Sequence, residues 1–92
     1  MATVNPFAVL GSNVIVNTGA IVEHHVVVAD HTHLSPGAIV CGNGQIGSSV
    51  HVGAGAIVLE NRRIGDRAML AAGAVVIRDV PAGATVKGVP AA

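Results

Sequence analysis

Counted in sixes from Val4, the chain carries an aliphatic residue at every lead position. Positions 4, 10, 16, 22, 28, 34, 40, 46, 52, 58, 64, 70 and 76 read Val, Leu, Val, Val, Val, Leu, Val, Ile, Val, Val, Ile, Leu and Val, thirteen hexads with no slip. Four residues after each lead stand Ala8, Val14, Ala20, Val26, Thr32, Ala38, Gly44, Val50, Ala56, Arg62, Ala68, Ala74 and Val80, nearly all small or β-branched, with Arg62 the exception. A period of six fits neither the 3.6 of a helix nor a plain alternation, but it is a multiple of two and suits short strands. In an extended segment the lead residue and the one four later share a face. The small or turn-permissive residues between them let the chain bend. Three such strands make a triangular coil of eighteen residues. Coils stacked at about 4.8 Å make a prism about 24 Å tall from four to five turns. The pattern is the hexapeptide repeat of a β-helix, so the predicted fold is all-β, and residues 1–92 read as a single domain. Phe7 is expected to cap the open first coil. The tail DVPAGATVKGVPAA breaks the hexad register after Pro81 and is expected to leave the prism as a strand or loop.

An eighteen-residue coil also creates outward columns. One reads Ile21, Ile39, Ile57, Val75, a row of aliphatics that should not face water. A second reads Ile15, His33, His51, Met69, and a third turns polar as Val9, Val27, Gln45, Arg63, Pro81. Two partly covered faces and one solvated face suit a closed homotrimer. A chain of 92 residues buries little surface alone, which also favours oligomerisation.

Composition narrows the function classes. The chain is 51% hydrophobic, yet Phe7 is its only aromatic residue. Its formal net charge is zero, so no basic face recruits nucleic acid or anionic lipid. The apolar runs are too short to span a membrane, and no signal peptide is visible. Cys41 is the only cysteine and cannot form an intrachain disulfide. A free thiol fits a reducing, cytoplasmic location.

Four of the five histidines fall in VEHHVVVADHTHLSPGA, residues 22–38. His24 falls at a corner of its coil, and His33 half a coil further on, so within one subunit they lie on opposite sides of the prism. They meet only if His24 of one subunit approaches His33 of the next. His51 stacks one coil above His33. Three readings stand open. The histidines are solvated polar residues, which suits His31 best. Or they hold zinc at an interface, as in γ-class carbonic anhydrases, although the ligand spacing of those enzymes is not matched here. Or one is a general base that takes a proton from a hydroxyl or amine.

The run NTGAIVEHHVVVADHTHLSPGA resembles the active-site segment of the sialic-acid O-acetyltransferase and bacillosamine N-acetyltransferase family of sugar acyltransferases, which are left-handed parallel β-helices. The matching features are Asn17-Thr18, Glu23-His24, His33 and Ser35-Pro36-Gly37. VGAGAIV at 52–58 and LAAGAVV at 70–76 resemble coils that line the cofactor in that family, and KGVPA at 87–91 resembles its C-terminal tail. The resemblance implies a left-handed helix. It makes His24 the general base and acetyl-CoA the co-substrate, with no metal. It places His33 of the neighbouring subunit against the acyl-CoA near its thioester. It gives the pantetheine arm to backbone groups at Gly42, Ala54 and Ala72, and a CoA phosphate to Lys87 as a point charge. The chain departs from the family at His25, where an acid is usual. It is also expected to lack the N-terminal nucleotide-sugar-binding domain of full-length members.

The expected function is acetyl transfer to an amine or hydroxyl of a small, sugar-like acceptor. Transfer would be direct, because Cys41 has no obvious base beside it. The alternatives are a trimeric scaffold or CoA-binding remnant without turnover, and a zinc-dependent lyase.

Overall fold

The computed structural model describes all residues 1–92 and contains fourteen two-residue strands and no helix. Three parallel sheets stack along the prism. Face A holds β1 (Thr3–Val4), β4 (Ile21–Val22), β7 (Ile39–Val40), β10 (Ile57–Val58) and β13 (Val75–Val76). Face B holds β2 (Val9–Leu10), β5 (Val27–Val28), β8 (Gln45–Ile46) and β11 (Arg63–Ile64). Face C holds β3 (Ile15–Val16), β6 (His33–Leu34), β9 (His51–Val52), β12 (Met69–Leu70) and β14 (Thr85–Val86). The result is a left-handed parallel β-helix of about five turns. It measures 29 × 21 × 21 Å, in line with the predicted height.

The eighteen-residue register is the one the hexads predict. Ile21 pairs with Ile39, Val27 with Gln45 and His33 with His51. Each strand offers its lead residue to the interior. Val22, Val28, Leu34, Val40, Val52, Val58 and Leu70 are all buried, and the residues four later, such as Ala20, Val26, Ala38 and Ala56, close the core between them. Thr32 is the polar member of that inner set and is satisfied. Its hydroxyl donates to the Gly47 carbonyl at 2.6 Å and accepts the Val50 N–H at 3.1 Å. Arg62, the exception in the sequence pattern, turns outward. Its Nε donates to the Glu60 carbonyl at 3.3 Å, and its Nη1 lies 3.8 Å from Asp79.

The corners explain how two-residue strands can follow one another so closely. From Phe7 to Gly73, every sixth residue has a positive φ. Many corners also close with a backbone bond across the bend, such as Ala20 N–H to the Asn17 carbonyl at 3.0 Å and Ala38 N–H to the Ser35 carbonyl at 3.1 Å. A left-handed residue in the third place of a four-residue turn lets the chain bend from one face to the next within one hexad. Glycine fills that place at 19, 37, 55 and 73, and Asn fills it at 13, 43 and 61. Both tolerate the conformation better than other residues.

Two expectations are corrected. The tail does not leave the prism. β14 pairs with β12 in parallel, Met69 with Thr85 and Leu70 with Val86, and Val80 bridges to Ile64. The partner is sixteen residues on instead of eighteen, because the corner after Val76 lacks a left-handed turn and is two residues short. The Asp79 carboxylate takes the Arg63 N–H at 2.9 Å in that shortened corner. Phe7 does not cap the open end either. It occupies a left-handed corner position, which aims a side chain sideways, and it is 75% exposed. The first coil's lead residues Val4 and Leu10 are left exposed beneath it.

Two neighbouring glycines separate close packing from conformational strain. A Cβ on Gly53 would meet Ala72 N at 2.5 Å and Ala71 C at 2.7 Å, both backbone atoms of the next coil. A Cβ on Gly55 would meet nothing within 4 Å, and only its φ of +69° resists substitution. In urea unfolding, Gly53→Ala is expected to lose about 3 kcal/mol and Gly55→Ala about 1 kcal/mol. Equal losses would show that the coils do not pack this closely.

Candidate active site

The residues that could carry chemistry form two groups on either side of face A. The first lies at the corner between faces A and B. His24 is exposed there, and its ring lies across Gly42, the residue one coil above. A Cβ on Gly42 would stand 2.7 Å from His24 Nε2 and 2.8 Å from Cε1, so only glycine leaves room for the imidazole. His24 Nδ1 lies 3.2 Å from His25 Nδ1. The His25 ring stacks on Phe7 with centroids 5.0 Å apart and planes 16° from parallel. Cys41 sits at the same corner, half-buried. Burial pushes its thiol up from the ordinary value, and the carboxylates of Glu60 and Glu23 add to the rise. A thiol kept protonated in this way is a poor nucleophile.

The second group spans face C and the corner between faces C and A. His33 and His51 project from face C one coil apart, half-buried, with ring centroids 5.3 Å apart in an edge-on arrangement. Asn17 Nδ2 lies 3.4 Å from His33 Nε2, and Ser35 Oγ lies 3.4 Å from His51 Nε2. An amide N–H can only donate, so the Asn17 contact makes His33 Nε2 the acceptor and Nδ1 the nitrogen that carries the proton. Ala54 and Ala72 stack in the next corner and are exposed. Lys87 follows β14 into the top of that corner, exposed, with its backbone paired to Ala92.

Thus His33, Ala54, Ala72 and Lys87 share one side of the molecule, while His24 and Gly42 occupy the other. Face A, with its column of Ile21, Ile39, Ile57 and Val75, separates them. His31 is exposed at the third corner, 3.0 Å from Asn13 Nδ2. A shallow concavity of about 500 Å³ lies on face B, between Val27, Gln45, Arg63 and Asp79, and contains none of these groups. Sequence reasoning did not find the parts played by His25 and Phe7. Their one sequence signal is that Phe7 and His25, like His31, put a ring at a hexad position that Gly or Asn fills in seven of twelve cases.

The bacterial transferase hexapeptide model, built of six repeats, matches residues 43–78. The chain is 36% identical to the acetyltransferase domain of PglB from Neisseria gonorrhoeae, with a TM-score of 0.92. That likeness covers 99% of this chain and 53% of the other, and the same domain is known in complex with acetyl coenzyme A. A histidine-to-asparagine mutant of perosamine N-acetyltransferase from Caulobacter crescentus, in complex with CoA and GDP-perosamine, is 31% identical with a TM-score of 0.89, over 99% of this chain and 52% of that one. Serine acetyltransferase from Neisseria gonorrhoeae is 33% identical with a TM-score of 0.90, over 97% and 40%. No curated protein sequence matches. The chain thus carries the bacterial transferase hexapeptide repeat and is similar over nearly its whole length to these acetyltransferase structures. It spans about half the length of the first two of these solved relatives.

The raised Cys41 thiol has a direct consequence. At a given pH it holds less thiolate than free cysteine, so alkylation by iodoacetamide at mildly alkaline pH is expected to run slower than for free cysteine. The rate should keep rising with pH after free cysteine has levelled off. A rate equal to that of free cysteine would contradict the burial of the thiol.

Proposed function

We propose that the chain transfers an acetyl group from acetyl-CoA to an amine or hydroxyl of a small, sugar-like acceptor, with His24 as general base. The observation that carries this reading is the placement of His24, seated on Gly42 at an exposed corner, on a β-helix whose solved relatives are acetyltransferases. A neutral imidazole at an open edge can take a proton from an incoming nucleophile near neutral pH.

The split between the two groups of residues supports a shared site. His24 and Gly42 lie at one edge of face A, and His33, Ala54, Ala72 and Lys87 lie at and beyond the other. Threefold packing with face A turned toward the axis brings one chain's A–B corner beside the next chain's C–A corner. The same packing covers the aliphatic column of face A, whose exposure to water is otherwise unfavourable. A complete site then takes His24 and Gly42 from one chain and the remaining residues from its neighbour. This differs from a trimer that buries face C as well, and it leaves His33 and His51 open to a ligand.

In that cleft the acceptor's N–H or O–H gives its proton to His24 as its lone pair attacks the thioester carbonyl. The proton on His33 Nδ1 is free to be donated to the acyl-CoA near the developing oxyanion. The C–S bond then breaks, and the CoA thiolate receives a proton from His24. Small residues at Ala54 and Ala72 allow close approach of the pantetheine arm to the backbone. Lys87 faces the CoA phosphates as a point charge. The protonated thiol of Cys41 favours direct transfer over an acyl-enzyme.

Three measurements test the proposal. Calorimetry with acetyl-CoA is expected to show saturable binding, and its absence would leave a bare scaffold. A free-thiol assay with a panel of amino sugars is expected to show turnover that falls about 10²- to 10⁴-fold in His24→Ala, and unchanged turnover would remove His24 as the base. Mixing His24→Ala with His33→Ala chains should restore part of the activity, and no restoration would argue against a cleft shared between chains. Separately, Gly42→Ala is expected to displace the His24 ring. It should lower turnover while leaving the unfolding midpoint within about 1 kcal/mol of the parent, since the group displaced is an exposed side chain.

A further inference from the structure

The imidazoles of His24 and His25 meet nitrogen to nitrogen, Nδ1 to Nδ1, at 3.2 Å. For two neutral rings that contact is favourable in only one way: one nitrogen carries the proton and donates, and the other accepts with its lone pair. Both rings are held. His24 lies on the bare Cα of Gly42, where a Cβ would stand 2.7 Å from Nε2 and push the ring aside. His25 is clamped by the face of Phe7, at 5.0 Å and 16°. The backbone bears a cost for this arrangement. Phe7 and His25 have φ of 63° and 59°, in the hexad position that Gly19, Gly37, Gly55 and Gly73 fill without strain. His31, Ser49 and Arg67 share this angle, so what sets Phe7 and His25 apart is that their rings stack on each other beside an exposed imidazole.

We propose that His25 is a positioning residue for His24. It accepts the Nδ1–H of His24, and so fixes the tautomer whose Nε2, above the bare Cα of Gly42, keeps a lone pair that can take a proton, with Phe7 stacked on the His25 ring. The inference rests on the acyl-transfer reading of His24. In the step, Nε2 receives the proton from the acceptor's N–H or O–H as the acceptor's lone pair attacks the thioester carbonyl. While His24 is cationic, its bond to His25 becomes charge-assisted and stronger. When the C–S bond breaks, the CoA sulfur leaves with the electron pair and takes the proton from Nε2, so both rings end neutral. His25 does this without a negative charge. Glu23 at the same corner, and Glu60 two coils above His24, are not hydrogen-bonded to either ring.

The test is nitrogen NMR on the full chain labelled with ¹⁵N-histidine, at a pH where both rings are neutral. The expected spectrum has a protonated, pyrrole-like Nδ1 and a pyridine-like Nε2 on His24, and the reverse on His25. A protonated Nε2 on His24, or a free-imidazole mixture of tautomers on either ring, overturns the proposal. In the acetyl-transfer assay, His25→Gly is expected to lower kcat about ten- to a hundredfold, with KM for acetyl-CoA changed by less than about twofold. His25→Asp should recover most of that loss, because a carboxylate accepts the same Nδ1–H. Glycine already fills this corner position at 19, 37, 55 and 73, so His25→Gly keeps the turn. A His25→Gly kcat within about twofold of the parent would also overturn the role. If the parent chain turns over no acceptor, the acyl-transfer reading falls, and the nitrogen spectrum still decides the pairing by itself.

Discussion

Everything in this molecule depends on backbone hydrogen bonds that tie each residue to the coil above it. They run parallel and nearly without break, from Thr3 N–H on the Ala20 carbonyl to Met69 N–H on the Ala84 carbonyl. A two-residue strand has no stability of its own. Stacked in register on neighbours above and below, it saturates its donors and acceptors and buries its lead residue at the same time. The register survives only if every corner consumes the same number of residues. One left-handed residue per hexad provides that uniformity. Where it is missing, between Gly73 and Gly83, the pairing shifts by two residues and the shortened corner recruits Asp79 to satisfy Arg63.

The same constraint distributes the chemistry. Because residue n always lies under the residue eighteen places on, a corner or face accumulates one side chain per coil in a fixed column. His24 therefore meets Gly42, and His33 meets His51. A rigid prism cannot bend to bring the two groups together, since face A lies between them. A site that needs both must be assembled from two chains. In the proposed threefold packing, the apolar column of face A is the surface whose burial would align the half-sites. Small residues serve two ends in such a design: Gly42 admits the imidazole, and Ala54 and Ala72 leave a corner open for a ligand.

His25 illustrates how much of a site can be hidden by its own sequence. An acid is usual in the family that the run 17–38 resembles, and an imidazole there reads as a weakness. In the structure its Nδ1 meets Nδ1 of His24 at 3.2 Å, and its ring stacks on Phe7. Half-buried Cys41 completes the corner, its thiol pushed up by burial and by the charges of Glu60 and Glu23.

The sequence by itself determined the coil. Thirteen aliphatic leads in phase leave one arrangement that buries them all, and the columns at intervals of eighteen follow from it without further information. The pairing of His33 with His51 was legible for the same reason, since register is a local count. What only the tertiary structure decided was where the count changes and where side chains turn. The tail rejoined face C because two residues were dropped from one corner, and the break in the hexad register did not by itself say where the chain would go. Phe7 turned outward onto His25, and His24 turned back over Gly42, because a left-handed backbone angle and an absent Cβ set side-chain directions that are invisible to periodicity. Positions along a repeat are fixed by spacing, whereas the meeting of two imidazole nitrogens depends on rotamers chosen by neighbours a full coil away.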